Sequence, residues 1–305
     1  NLNTAMDGDR VLTRRLKSQG RRRTPEAVVV SVLARARDRV VGTFQYSKHR
    51  NTVIPLDAKS IREVTISSGH SADANEGDIV VVRLDSYGDG QTSLSGRVDK
   101  VLGKLTDPGV DVLAVAYGFA LSFEFPADVI AAAEIAAEQQ AFDRGGSRVD
   151  HTDLCVFTID PADAKDHDDA FSVVARDKDR FEVGVHIADV SHFIRESDPV
   201  DVEALSRGTS VYLVDRTIPM LPEVLSSDLC SLKSGVERFT LSLFIELDRA
   251  GKVHKYRFER ACIRSRYQLS YEEVQDVLDG STNIGEEIDR ALHTLDDLAR
   301  SIRKS

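Results

Sequence analysis

Residues Thr158–Phe171 read TIDPADAKDHDDAF. Five aspartates, Asp160, Asp163, Asp166, Asp168 and Asp169, fall within ten residues, and apolar, β-branched runs border them on both sides. In CVFTID, Val156, Thr158 and Asp160 share one face of a strand, and Phe157 and Ile159 share the other. Asp160 therefore stands at the C-terminal end of that strand, where Pro161 stops the ladder. The chain loops through ADAKDH and re-enters a sheet at Asp168–Phe171. A strand that returns on itself in this way gathers Asp160, Asp166, Asp168 and Asp169. So many close carboxylates cannot all stay ionised unaided: some hold protons, or a cation neutralises them. An all-carboxylate set selects a hard cation, Mg2+ or Mn2+, that keeps positions open for water and phosphate. Two such ions about 4 Å apart make a phosphodiester hydrolysis site. The spacing of an EF-hand is absent. Asp163, in the widest part of the loop, is expected to be solvated, and His167 to be a loop residue rather than a ligand. On composition alone, an exposed polar hairpin loop is the competing reading.

Downstream of Gly146 the pattern is mixed. LCVFTID is a strand, and DAFSVVA and FEVGVHIADV form a hairpin across RDKDR. PVDVEALSRG is a short helix, and RFTLSLFIELD pairs with KVHKYRFERACI across RAG. Ser270 and Glu273 form a capping box that opens YEEVQDVLDG, and residues 285–303 read as a helix. Strands and helices interleave without a βαβ rhythm, so this is a mixed α+β domain. His186 and His192, which flank IADVS, read as structural. Upstream, from Ala27 to Leu105, short β runs (AVVVSVLA, RVVGTF, TVIPL, VTI, DIVVVRL, SGRVDKVLG) alternate with turn segments. Five or six strands in that length point to a small closed barrel of the OB type. Between the two regions, PADVIAAAEIAAEQQAFDR (126–144) has a proline in its first turn and Gly145-Gly146 behind it, and reads as a connecting helix.

The chain has 305 residues, 41% hydrophobic and 30% charged, with net charge −10, so it reads as an ordinary soluble multidomain protein. No apolar run approaches the ~18 residues that span a bilayer. The first residues, NLNTAMDGDRV, read like the interior of a domain, as in a fragment or trimmed chain. The three cysteines, Cys155, Cys230 and Cys262, form no CxxC pair, which excludes a zinc ribbon and fits reduced thiols in a cytoplasmic protein. Residues 1–50 carry 12 Lys and Arg against 4 Asp and Glu, a net of +8 that leaves −18 for the rest. A basic arm beside an acidic site can hold a polyanion in one place and cations in another. The alternative is a solvated basic loop around Arg21-Arg22-Arg23. In RVVGTFQYSKHR, Phe44 and Tyr46 alternate on one strand face with Lys48 and Arg50 just beyond. Aromatics and cations together suit a single-stranded nucleic acid, although Phe44 reads as core.

RVDHTDLCVFTIDPADAKDHDDAFSV, VGVHIADVSHFI and TSVYLVDRTIPMLPEVLSSDLCSL, in that order and spacing, resemble the catalytic (RNB) domain of the ribonuclease II / ribonuclease R family, ribonuclease R type. VVGTF, TVIPLDAKSI, EGDIVVVRL, GRVDKVLG and DPGVD resemble its second cold-shock domain, and AMDGDRVL resembles the closing strand of the first. The resemblance implies four regions: 1–23, the end of a first cold-shock domain; 24–105, a second; 106–146, a connector; and 147–305, the N-terminal half of the RNB domain. It further implies a monomeric, Mg2+-dependent 3′→5′ exoribonuclease that degrades single-stranded RNA to nucleoside 5′-monophosphates. Asp160, Asp166, Asp168 and Asp169 fall at the family's acidic positions, and Asp168 and Asp169 are expected to be the most sensitive pair. Tyr212 falls where the family packs an aromatic on the last nucleotide, and Tyr271 is a second candidate nucleotide contact. A relative that holds RNA without cutting it, as a regulator, is the alternative.

Overall fold

A computed structural model of the chain describes residues 4–16, 26–47, 50–57, 63–88, 94–140 and 148–304. These fall into two compact units, Asn1–Glu124 with Tyr212–Ile218, and Phe125–Val211 with Pro219–Ser305.

In the first unit, β1 (Arg10–Arg15) and β2 (Ala27–Ala34) pair antiparallel as a separate two-stranded sheet. AVVVSVLA is thus a strand but not a barrel strand, which corrects the sequence expectation. Its apolar residues line no common core, since Val30 and Leu33 are exposed. The base of this ribbon is held by Asp9, whose carboxylate pairs with Arg35 (2.7 Å) and accepts from Ala36 N (2.9 Å). Five strands close the barrel: β3 (Arg39–Gln45), β4 (Asn51–Pro55), β5 (Val64–Ile66), β6 (Asp78–Ser86) and β7 (Leu94–Lys104), in the order β3-β4-β5-β7-β6. The β5–β7 pair is parallel. Alternation places Phe44, Val53, Val64, Val80 and Val82 in the interior. A helix not anticipated from sequence, α1 (Val110–Gly118), packs Val110 and Ala114 on Val41, Ile79 and Val81 outside the barrel.

The second unit opens with α2 (Ala127–Gln140), the helix expected over 126–144. Val129 and Ala133 on α2 belong to this unit's core. Next come β8 (Val149–Asp150), β9 (Val156–Asp160), β10 (Asp169–Ala175), β11 (Arg180–Ala188) and α3 (Pro199–Arg207). The short pair β12 (Val211–Tyr212) and β13 (Thr217–Ile218) leads to β14 (Glu237–Asp248), β15 (Val253–Ser270), α4 (Tyr271–Leu278) and α5 (Glu286–Lys304). The sheet order is β14-β11-β10-β9-β15-β8, and β15 also pairs with β14. The long β15 makes this possible. Residues 253–264 run antiparallel to β14, and residues 265–270 run parallel to β9, so the sheet curls back on itself. α5 buries Ile288, Ala291, Leu292 and Leu298, an i, i+3, i+4, i+10 stripe, against Phe157, Leu269, Phe181 and Val183. The Ser270–Glu273 capping box is present. Among the described residues no helix is long and apolar enough to cross a membrane.

His186 is structural in its surroundings. It is wholly buried, with its ring nitrogens 3.0 Å from Ser172 Oγ and 2.8 Å from Ser242 Oγ. Gly184 is required beside it, because a Cβ there would lie 2.4 Å from Ser172 Oγ and 2.7 Å from His186 Nε2. Burial, and then the neighbouring His151, push the His186 pKa down to about 4. The unfolded chain therefore takes up a proton near pH 6.5 that the folded chain refuses until about pH 4. The contribution to stability is complete above pH 6.5 and is lost as pH falls toward 4, by about 3 kcal/mol at most. Urea unfolding of wild type and His186→Asn at pH 5 and pH 7.5 checks this. The wild type should lose more stability between the two pH values than the variant, and equal losses would contradict it.

Candidate metal centre

Asp160 closes β9 and Asp169 opens β10, and the two strands pair antiparallel at Phe171↔Phe157 and Ser172↔Val156. The intervening loop is pinned from distant parts of the sequence. Ser231 Oγ accepts from His167 N (3.1 Å) and donates to the Lys165 carbonyl (3.0 Å). Leu232 N donates to the His167 carbonyl (2.8 Å), and Ala188 N to that of Asp168 (3.0 Å). Ser231 is fully buried. The Asp228–Leu232 run thus fixes the shape of the acidic loop, a role its sequence did not disclose.

The electrostatics bring the four predicted aspartates into one field. The Asp168 pKa is raised, first by desolvation and then by the charges of Asp166, Asp169 and Asp160, against a smaller lowering by His167. The residue still reaches solvent, so the like charges are a substantial part of that rise. Desolvation and the Asp160 charge raise Asp169 likewise. Among the described residues, the carboxylates of Asp168 and Asp169 receive no hydrogen bond or ion pair. Asp189 is the contrast. Its carboxylate is buried, but Ser191 Oγ and Arg148 (each 2.7 Å) hold its pKa below the ordinary range. Asp163 is exposed, as expected.

Among the described residues no three His, Cys, Asp or Glu side chains converge tightly enough to hold an ion as they stand. The chemistry of the donors nevertheless fits a hard divalent cation. They are all carboxylate oxygens, the two of Asp168 and Asp169 lack any protein partner, and neighbouring carboxylate charges raise the pKa of both.

His167 is a loop residue, as expected, but a buried one. Only 3% of it is exposed. Its Nδ1 lies 2.7 Å from Asp160 Oδ2 and its Nε2 lies 2.7 Å from Gln268 Nε2. Sequence alone could not place Gln268, which reaches the loop through the parallel register Gln268↔Thr158. The same register sets Ser270 beside Asp160. Tyr271, 57% exposed, therefore enters α4 next to the acidic loop. A cavity of ≈ 350 Å3 lined by Pro161, Ala162, His167, Gln268, Ser270 and Glu273 lies there.

Tyr212 is 66% exposed at the end of β12 and belongs to the first unit. Its hairpin turns through a Leu213 N to Arg216 O bond (2.9 Å). Asp215 and Arg216 lie over Gly109 at the start of α1, where a Cβ would meet them at 3.2 and 3.4 Å. Tyr46 and Phe44 do not share a strand face. Phe44 fills the barrel core, whereas Tyr46 lies one residue past β3 and is exposed. Arg50 is exposed and pairs with Glu63 at 3.5 Å. Lys48 and Arg21-Arg22-Arg23 lie outside the described residues.

Comparison with known proteins gives a consistent picture. The RNB domain family matches residues 148–305, and the cold shock domain family matches residues 53–126. Ribonuclease R of Thermotoga maritima is 38% identical over 86% of this chain, and ribonuclease R 1 of Lactococcus lactis is 34% identical over 90%. The chain spans 37% and 35% of the length of these relatives. The structure of Mycoplasma genitalium RNase R in complex with ribose methylated single-stranded RNA superposes over all of this chain and 48% of its own. The TM-score is 0.89 at 26% identity.

Proposed function

The chain belongs to the RNB-domain family of ribonuclease II and ribonuclease R, and from that premise we propose that it hydrolyses single-stranded RNA from the 3′ end to nucleoside 5′-monophosphates. The observation that carries this reading is the pair of crowded, unpartnered carboxylates at Asp168 and Asp169 beside Asp160 and Asp166. An isolated structural loop would pair or shed such charge.

Asp160, Asp166, Asp168 and Asp169 would hold Mg2+ or Mn2+. Bound ions supply charge neutralisation at the scissile phosphate and a water of lowered pKa. The chain's own residues do the rest. Ser231 pins the main chain of the loop at Lys165 and His167, so the carboxylates that would hold the cations stand on a fixed backbone. Tyr212 and Tyr271, both exposed, offer π-faces to nucleotides of any sequence. Tyr46 and Arg50, with Lys48 between them in the sequence, would supply a second grip through stacking and phosphate contacts.

The test uses single-stranded RNA labelled at either end, with and without Mg2+. Mononucleotides released first from the 3′ label, and only with the metal, support the reading. Tight binding with no release under Mg2+ or Mn2+ contradicts it and favours a non-cutting RNA-binding relative.

A finer prediction concerns Tyr212. Tyr212→Ala should lengthen the final undigested oligonucleotide, because stacking worth ~1–3 kcal/mol per base is lost at the 3′ end. Metal affinity should stay unchanged. An end-product of wild-type length on a sequencing gel would remove Tyr212 from the site.

A further inference from the structure

We infer that His167 is a positioning residue that, locked by Gln268, sets the orientation of Asp160 and so the affinity of the acidic loop for divalent cations. This rests on the proposed metal-binding role of the four aspartates and adds residues to it that neither motif nor charge pattern marks.

The hydrogen-bond inventory fixes the direction of the relay. The Gln268 amide nitrogen has only protons to offer, so His167 Nε2, 2.7 Å away, accepts. A neutral imidazole that accepts at Nε2 carries its proton on Nδ1. That proton is donated to Asp160 Oδ2 over 2.7 Å. Both ring nitrogens are thereby used, which closes a ligand role for His167 and leaves an all-oxygen donor set. With Oδ2 engaged, Oδ1 is the Asp160 oxygen that no described residue occupies.

The surroundings make this a fixed device. Main-chain bonds hold His167 on both sides, through Ser231 Oγ to its N–H and through Leu232 N to its carbonyl. Gln268 sits on β15 and Asp160 on the adjacent β9, in a parallel register that also pairs Ser270 with Asp160. The carboxylate, the ring and the amide thus come from a strand end, a pinned loop and a neighbouring strand. A buried histidine can be satisfied by uncharged partners alone, as His186 is by its two serines. Outer partners that orient a ligating group are worth about 10- to 100-fold in metal affinity.

The variants separate orientation from packing. His167→Asn places an amide N–H where Nδ1 stood and keeps the bond to Asp160. His167→Leu fills similar space with no donor. Gln268→Leu leaves the ring but removes the group that fixes its tautomer. The probe is Mn2+ alone, followed by loss of its free-ion EPR signal, with melting in EDTA to confirm each variant is folded. The expected result is Mn2+ binding about 10- to 100-fold weaker in His167→Leu, about tenfold weaker in Gln268→Leu, and within about threefold of wild type in His167→Asn. Wild-type affinity in His167→Leu, or equal losses in Asn and Leu, would overturn the inference. If His167→Leu does not fold, unchanged binding by Gln268→Leu would overturn it. If the wild-type protein takes up no Mn2+, the metal reading itself fails, an outcome distinct from a metal site indifferent to His167.

Discussion

Asp168→Asn is expected to reduce mononucleotide release about a thousandfold or more while RNA binding persists and the metal-free protein becomes more stable. The loss follows from removing a group that shares several kcal/mol of transition-state charge stabilisation, each 1.36 kcal/mol being about tenfold in rate. The gain in stability follows from the same geometry. Desolvation, then Asp166, Asp169 and Asp160, raise the Asp168 pKa, so the folded state disfavours its charge. A neutral amide of the same shape relieves that repulsion. Asp169→Asn should behave alike, since desolvation and Asp160 raise its pKa too. Thermal melting in EDTA checks the stability arm, and release from 3′-labelled RNA checks the catalytic one. A variant that loses activity because it is less stable would contradict this account of the loop. Proteins that hold destabilising charge at a site commonly gain stability and lose function when it is removed.

Phe157→Ala should cost about 3–5 kcal/mol, a large share of the ~5–15 kcal/mol that keeps a domain folded. Phe157 is wholly buried on the face of β9 opposite Thr158. It packs with Leu269 of β15, Val277 of α4, and Ile288, Ala291 and Leu292 of α5. Removing the ring leaves a cavity under the strand that delivers Asp160 and beside the helix that covers the sheet. Hydrogen exchange over β9, β10 and α5 should accelerate, and Mn2+ affinity should fall with it. Undiminished protection of β9 would show that this packing does not support the site.

Much of this was readable in the residues. Period-two alternation exposed the barrel strands and both hairpins of the second unit, because a half-buried strand must separate its apolar side chains by two. The Ser270–Glu273 box is a local signal and formed as read. The misreadings have physical causes. AVVVSVLA has a strand's composition, but nothing local says which strand it pairs with, and β1 claims it. α1 carries Val110, Val112 and Val115, β-branched residues that mask a helix. Asp107-Pro108-Gly109 before it and Gly118 at its end were usable start and stop signals. Tyr46 escaped the strand by one residue, and a period-two argument cannot see where a strand ends.

The acidic cluster itself was legible, because like charge packed between apolar strands is unusual enough to demand a counter-ion. Its supports were not. Ser231 and Gln268 lie 64 and 101 residues from His167 along the chain. Only the register of β15 against β9 and the fold of the Asp228–Leu232 segment bring them to the loop. A histidine amid aspartates reads only as a loop residue until those distant partners are in place.

The central claim is that the carboxylates of the 158–171 loop bind hard divalent cations. Calorimetric titration of Mg2+ into the wild-type protein and into Asp168→Asn tests it most directly. The account predicts saturable uptake by the wild type that the variant loses. No heat of binding in a folded wild-type protein, or equal binding by the two, would contradict it.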